Sequence, residues 1–171
     1  MKIKNFLPAL LSIYMFSIVI LSLSACSGHT NTQKNTTFED HQEELLQILE
    51  SQTLNEKQRY SIIKQIADSL RNKQDYQGLI LFLTDWVDKN PDDMYNSYWL
   101  LMTAYAYLST GAEPVAEYYF DRILQQCQDL LVKGNSVHFI CLQNLIQLSK
   151  TPAHRIKYFN ELINKFPQNV N

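Results

Sequence analysis

Histidine, cysteine and paired carboxylates are the side chains here that could do chemistry, and none stands in a spacing that would let it. The histidines are His29, His41, His138 and His154, and no two form the His-Glu-x-x-His pattern that sets two imidazoles on one helical face beside a general base. His138 and Cys141 are three apart, so one helix could aim both at a metal. Two donors fall short of the three or four that zinc sites use, and no metal or cofactor is expected. The carboxylates come in close pairs, Glu43 with Glu44, Asp85 with Asp88, and Asp92 with Asp93. Such pairs on surface helices are the ordinary solvated face. Asp92 and Asp93 are placed to start a helix, where negative charge meets the positive end of the dipole. There is also no Gly-x-Ser-x-Gly elbow and no phosphate-cradling glycine loop. The chain is therefore read as a non-enzyme, with no catalytic residues.

Cys26 poses a different question. Lys2 and Lys4 precede an apolar run over residues 6–23, which closes on Leu23-Ser24-Ala25-Cys26. Basic residues hold a chain start at the anionic cytoplasmic face, the apolar run enters the bilayer, and small residues before the cysteine fit a peptidase cleft. Residues 1–26 resemble the signal peptide and lipobox of bacterial lipoproteins. That resemblance implies cleavage before Cys26, lipidation of Cys26, and a remainder held outside the cytoplasm. An uncleaved anchor is the alternative, because the run is about as long as the shortest spans of a ~30 Å bilayer core. Ser27 rather than aspartate follows the cysteine, which implies sorting to the outer membrane at its periplasmic face. In a Gram-positive source the same motif would mean the outer face of the cytoplasmic membrane.

Cleavage there removes 25 of 171 residues and leaves 146, the size of one domain. It also removes two of the 15 basic residues, leaving 13 against 17 acidic ones, a formal charge of −4. A mildly acidic chain without a basic patch is a poor partner for nucleic acid, whose binding rests on concentrated positive charge. Residues 26–38 are rich in Ser, Thr, Asn, Gln and Lys and lack apolar periodicity, so they read as a flexible lipidated tether. The domain proper is expected over residues 39–171.

Only Gly28, Gly78, Gly111 and Gly134 occur, and alternating β-branched runs are missing, so the fold is expected to be all-α. Leu45, Leu46 and Leu49 mark a first short helix, and Ile62, Ile63, Ile66, Ala67 and Leu70 a second. Further helices are expected over residues 79–87, 99–108, 115–131, 137–148 and 156–166, with Pro91 and Pro167 as stops. The pattern repeats. Ile63, Ala67, Leu70, Leu79, Leu83 and Trp86 recur 37 residues later as Leu100, Ala104, Tyr107, Ala116, Phe120 and Ile123. A third copy runs through Phe139, Leu142, Ile146, Phe159, Leu162 and Pro167.

This ordering resembles the tetratricopeptide repeat, with a small residue in the first helix of each unit and a proline after the second. The units fall at about 60–93, 97–130 and 136–169. The resemblance implies antiparallel helical hairpins stacked as a short solenoid, preceded by one extra helix. Thr103, Gln143 and Arg155 depart from the family's pattern, and the second unit lacks the closing proline; a generic helical bundle is the alternative. The stretch from Arg155 to Pro167 also looks like repeats of lipoproteins that help assemble outer-membrane machinery.

In such a stack the inner surface is lined by the first helix of each unit. That frame selects Lys64, Asp68 and Arg71, then Tyr98, Leu101, Met102 and Tyr105, then Ile140 and Asn144 as partner-binding residues. Tyrosine and methionine suit such a trough, since both offer large adaptable contact area. The same aromatic stripe could instead be core. Cys127 and Cys141 lie seven residues either side of Gly134, where a disulfide and two buried thiols are both compatible with neighbouring helices. The functional expectation is a membrane-anchored scaffold or adaptor that binds an envelope protein or peptide segment. The alternatives are a secretion-system or pilus chaperone lipoprotein serving one outer-membrane client, and a hydrolase or small-ligand binder.

Overall fold

The structure, a computed structural model, describes residues 38–50 and 53–169. The signal segment, Cys26 and the tether through residue 37 lie outside the described residues. Helices dominate what is described: α1 (Phe38–Glu50), α2 (Glu56–Asn72), α3 (Tyr76–Lys89), α4 (Asn96–Ser109), α5 (Glu113–Gln126), α6 (Val137–Leu148) and α7 (Pro152–Lys165). The periodic runs set their positions and polar caps set their starts. Asn55 and Gln58 form a reciprocal box at the head of α2, each backbone N–H donating to the other's side-chain oxygen at 3.0 Å. Asp75, Ser136 and Thr151 accept from the third helical N–H of α3, α6 and α7.

Each helix packs on the next in sequence, and α4 also meets α6. The contacts run α2 on α3, α3 on α4, α4 on α5, α5 on α6 and α6 on α7, and α1 lies on α2. Ala67, Ala104 and Ala116 are fully buried, as close helix contacts require, and Leu83 and Phe120 are fully buried beside them. Thr103, a departure from the repeat pattern, is also fully buried; its hydroxyl donates to Trp99 O at 3.0 Å and so satisfies itself within the helix. Arg155, another departure, donates from Nη2 to Ser149 O at 3.0 Å, just past the end of α6.

One segment departs from the all-helical expectation. The fifth helix stops at Gln126, not near residue 131, because Cys127 adopts an extended backbone (φ −110°, ψ 150°). Leu131–Val132 then pairs antiparallel with Asn135–Ser136, in the register Leu131 to Ser136 and Val132 to Asn135. Lys133 and Gly134 between them have φ of 51° and 82°, the left-handed pair that a two-residue hairpin turn demands. Asp129 holds the turn's exit, its carboxylate accepting from the Ser136 hydroxyl at 2.6 Å and the His138 backbone N–H at 3.0 Å.

Candidate functional site

The face named by the repeat frame divides in the structure into salt-bridged, buried and open parts. On α2, Asp68 pairs with both Lys64 and Arg71, the latter at 2.8 Å. The hydrogen bond to Asp68 raises the Lys64 pKa above its usual value, against a smaller opposing pull from burial. Tyr98 leans into an aromatic cluster, its ring 5.2 Å from Trp99 and 6.2 Å from Tyr60. Leu101 and Met102 are only 4% and 6% exposed. α4 is packed by α3, α5 and α6 at once, which covers both side chains from solvent, although Met102 still borders the small recess beside Tyr105.

Among the expected residues on α4, Tyr105 is the open one, 42% exposed. Its ring stands edge-on to Phe120 at 5.7 Å, and its hydroxyl accepts from Asn144 Nδ2 at 3.1 Å. Asn144 also donates to Ile140 O at 2.8 Å, so three of the expected residues on α4 and α6 form one connected group. Beside it Arg71, Tyr76, Leu79, Met102 and Tyr105 line a recess of 120 Å³. Arg71, Met102 and Tyr105 thus share one recess, with Met102 contributing from the core.

Sequence reasoning missed a larger cavity, 530 Å³, at the other end of α4. It is walled by Asp88 of α3, the loop carrying Asp92 and Asp93, Asn96 and Ser97 of α4, and Arg122 of α5. Asp93 organises its rim, with one oxygen accepting from Trp86 Nε1 and Trp99 Nε1 and the other from Tyr95 N. Asp92 and Asp93 are visible in the sequence as an acidic pair, but nothing in their spacing shows that a cavity forms beside them.

The thiols and imidazoles occupy ordinary surroundings. Cys127 and Cys141 are both free thiols in the structure. Cys127 sits on the extended residue past α5 and not on the helix, which breaks the symmetric helix-to-helix placement about Gly134. Burial, then Asp129 and Cys127, push the Cys141 thiol far up, so it is a poor nucleophile. His138 Nε2 lies 3.1 Å from Cys127 O. Among the described residues no three of His, Cys, Asp and Glu converge as metal ligands. Asp85 and Asp88 pair with Lys89 at 2.8 Å and Arg122 at 3.6 Å.

Among the described residues no helix is long and apolar enough to cross a membrane. Compared with known proteins, the chain matches no family model, no curated protein and no solved structure, so its reading rests on the residues themselves.

Proposed function

We propose that this chain is a lipid-anchored, non-enzymatic scaffold or adaptor of the bacterial envelope. Its three hairpins stack in a tetratricopeptide-like way, and it holds a segment of another envelope protein along α4 and its neighbours. The observation that carries the reading is Tyr105: an exposed aromatic fixed by Asn144 from the next hairpin, beside an apolar recess edged by Arg71. A half-exposed ring that is already oriented loses little freedom on contact, and its phenol can still bond a peptide backbone. The Leu23-Ser24-Ala25-Cys26 motif supports membrane anchorage, which would raise the effective concentration of the domain toward partners in the same membrane.

A photo-crosslinking residue at position 105 of the full chain, expressed in a Gram-negative envelope, tests this. A discrete adduct is expected from position 105 and not from Tyr118, a more exposed ring on α5. No adduct, or identical adducts from both positions, would sink the partner face. Membrane anchorage is tested separately by Cys26→Ala, which should change the mature mass and release the chain from membranes.

A further inference from the structure

We infer that the recess beside Tyr105 takes one aliphatic or phenyl-sized group that carries a carboxylate close by, so that a partner segment is anchored by an apolar residue next to an acidic group. The carboxylate belongs to an acidic side chain or to the end of a chain. The inference rests on the proposed partner face and names what that face recognises.

The recess has the build of a pocket for one side chain. Leu79 of α3 and Met102 and Ala106 of α4 line it and are buried, so they form its inner surface. Tyr76 and Tyr105 add two phenols that are only partly covered, and the exposed Arg71 and Ser109 complete it at the protein surface. At 120 Å³ it is too small for a whole ligand, whose pockets run from about 300 Å³ upward. It is close to the roughly 150 Å³ apolar cavity that admits benzene, so one apolar group fits. Ser109 Oγ gives its proton to Tyr105 O at 3.0 Å, which leaves its lone pairs for an N–H of the guest.

The charge beside the recess selects an acid. Lys64 and Arg71 share one carboxylate, Asp68, so two cations meet one anion. Arg71 contacts Asp68 through Nη2, and a guanidinium has five N–H donors, so one such contact leaves others for a guest. Asp75, the acid next to Tyr76 in sequence, accepts from the Gly78 N–H at 2.9 Å and does not line the recess. α4 and α6, the other helices of this face, contain no Asp, Glu, Lys or Arg. The expected partner residues thus carry a positive excess in a chain that is acidic as a whole, with 15 basic against 17 acidic residues. An amine guest would meet Arg71 with no carboxylate to spare, whereas a guest carboxylate balances the second cation through charge-assisted hydrogen bonds.

Met102 gives a readout from inside the recess, and Met94, which is exposed and no part of it, is the control. Methyl ¹³C–¹H signals of both would be followed in the full chain in neutral detergent micelles. The probes are N-acetyl-leucine, the α-amide of N-acetyl-leucyl-aspartate, whose one carboxylate is a side chain, and N-acetyl-leucine amide, which has none. Saturable shifts of Met102 are expected with at least one acid, at an affinity about tenfold or more above that of leucine amide, the size of a charge-assisted bond to Arg71. N-acetyl-leucine alone marks a chain end as the source of the carboxylate, the aspartyl probe alone marks an acidic side chain, and both together show that either serves. Arg71→Gln alters an exposed member of a surface ion pair and should fold. It is expected to bring the acids down to the level of leucine amide. A leucine amide that binds as well as the acids overturns the inference, as do Met102 shifts that rise linearly with every probe, or a preference for acids that survives Arg71→Gln. A crosslink from position 105 alongside any of those three results leaves the partner face standing, whereas the absence of a crosslink sinks the face itself.

Discussion

Trp86 and Trp99 donate their indole N–H groups to the same carboxylate oxygen, Asp93 Oδ2, at 2.7 and 3.2 Å. One side chain in the loop between the first two hairpins thus ties the end of α3 to the start of α4. Trp99 is fully buried, so its N–H has no route to water if the carboxylate is lost. Asp93→Ala is expected to cost about 2–4 kcal/mol, the sum of two stranded or weakened donors. Asp93→Asn keeps an acceptor oxygen and should lose roughly half as much. Urea unfolding followed by tryptophan fluorescence measures both, and equal stability of all three proteins would remove the carboxylate from the account.

Tyr98 and Tyr105 share one helix but differ in surroundings. Tyr98→Ala opens the Tyr60, Tyr95, Tyr98 and Trp99 cluster, and a loss of about 2–4 kcal/mol is expected. Tyr105→Ala should cost about 1 kcal/mol or less while reducing capture of a partner. Thermal melts of the two variants separate these cases, and a larger loss for Tyr105 would place it in the core.

Alkaline pH should weaken the fold. The Tyr158 phenol is pushed up to about 12, first by burial and then by Asp121, whose Oδ1 is 3.3 Å from its hydroxyl. In the unfolded chain a tyrosine ionises near 10, so the unfolded state gives up its proton first. The stability held by neutral Tyr158 is whole below pH ~10 and drains as pH climbs toward about 12. Buried Cys141 acts in the same direction from about pH 8.5 upward. Urea midpoints should be flat from pH 7 to 8 and fall above 9. Tyr158→Phe should flatten the part of the fall above pH 10, and an unchanged profile would exclude Tyr158 as its source.

Thiol accessibility should follow burial. In a Cys26→Ala background, Cys127 is half-buried and Cys141 fully buried, so a thiol reagent should label Cys127 slowly and Cys141 only after denaturation. Labelling of both at one rate in the native chain would mean that α6 opens readily. Two unreactive sulfurs in unreduced, denatured protein would mean a disulfide.

The helices were legible because apolar residues at three- and four-residue spacing have one way to be buried together, and the match of Ala67 with Ala104 carried the pairing of units. The hairpin after α5 was not. Leu130, Leu131 and Val132 continue the apolar pattern of the helix, and only the backbone conformations of Cys127, Lys133 and Gly134 show that the chain has already left it. The burial of Leu101 and Met102 was not legible for a related reason. A projection from one helix counts its own residues and not the number of neighbours, and α4 has packing partners on three sides. The cavity at Asn96 and Ser97 was beyond reach because it depends on the path of the loop from Asn90 to Tyr95, along which Asn96 bonds backwards across five and six residues.

That backward reach has a mechanical meaning. The joint between the first two hairpins is closed by Asn96 gripping Asn90 O and Pro91 O, and the joint between the second and third by Asp129 gripping Ser136 and His138. A hinge needs backbone groups free to exchange partners, and at both joints several are already taken. Bending at either joint would have to break these bonds first. Under the proposed function, a partner segment laid along the helices would then be selected by its length and the placement of its anchors more than by bending of the host.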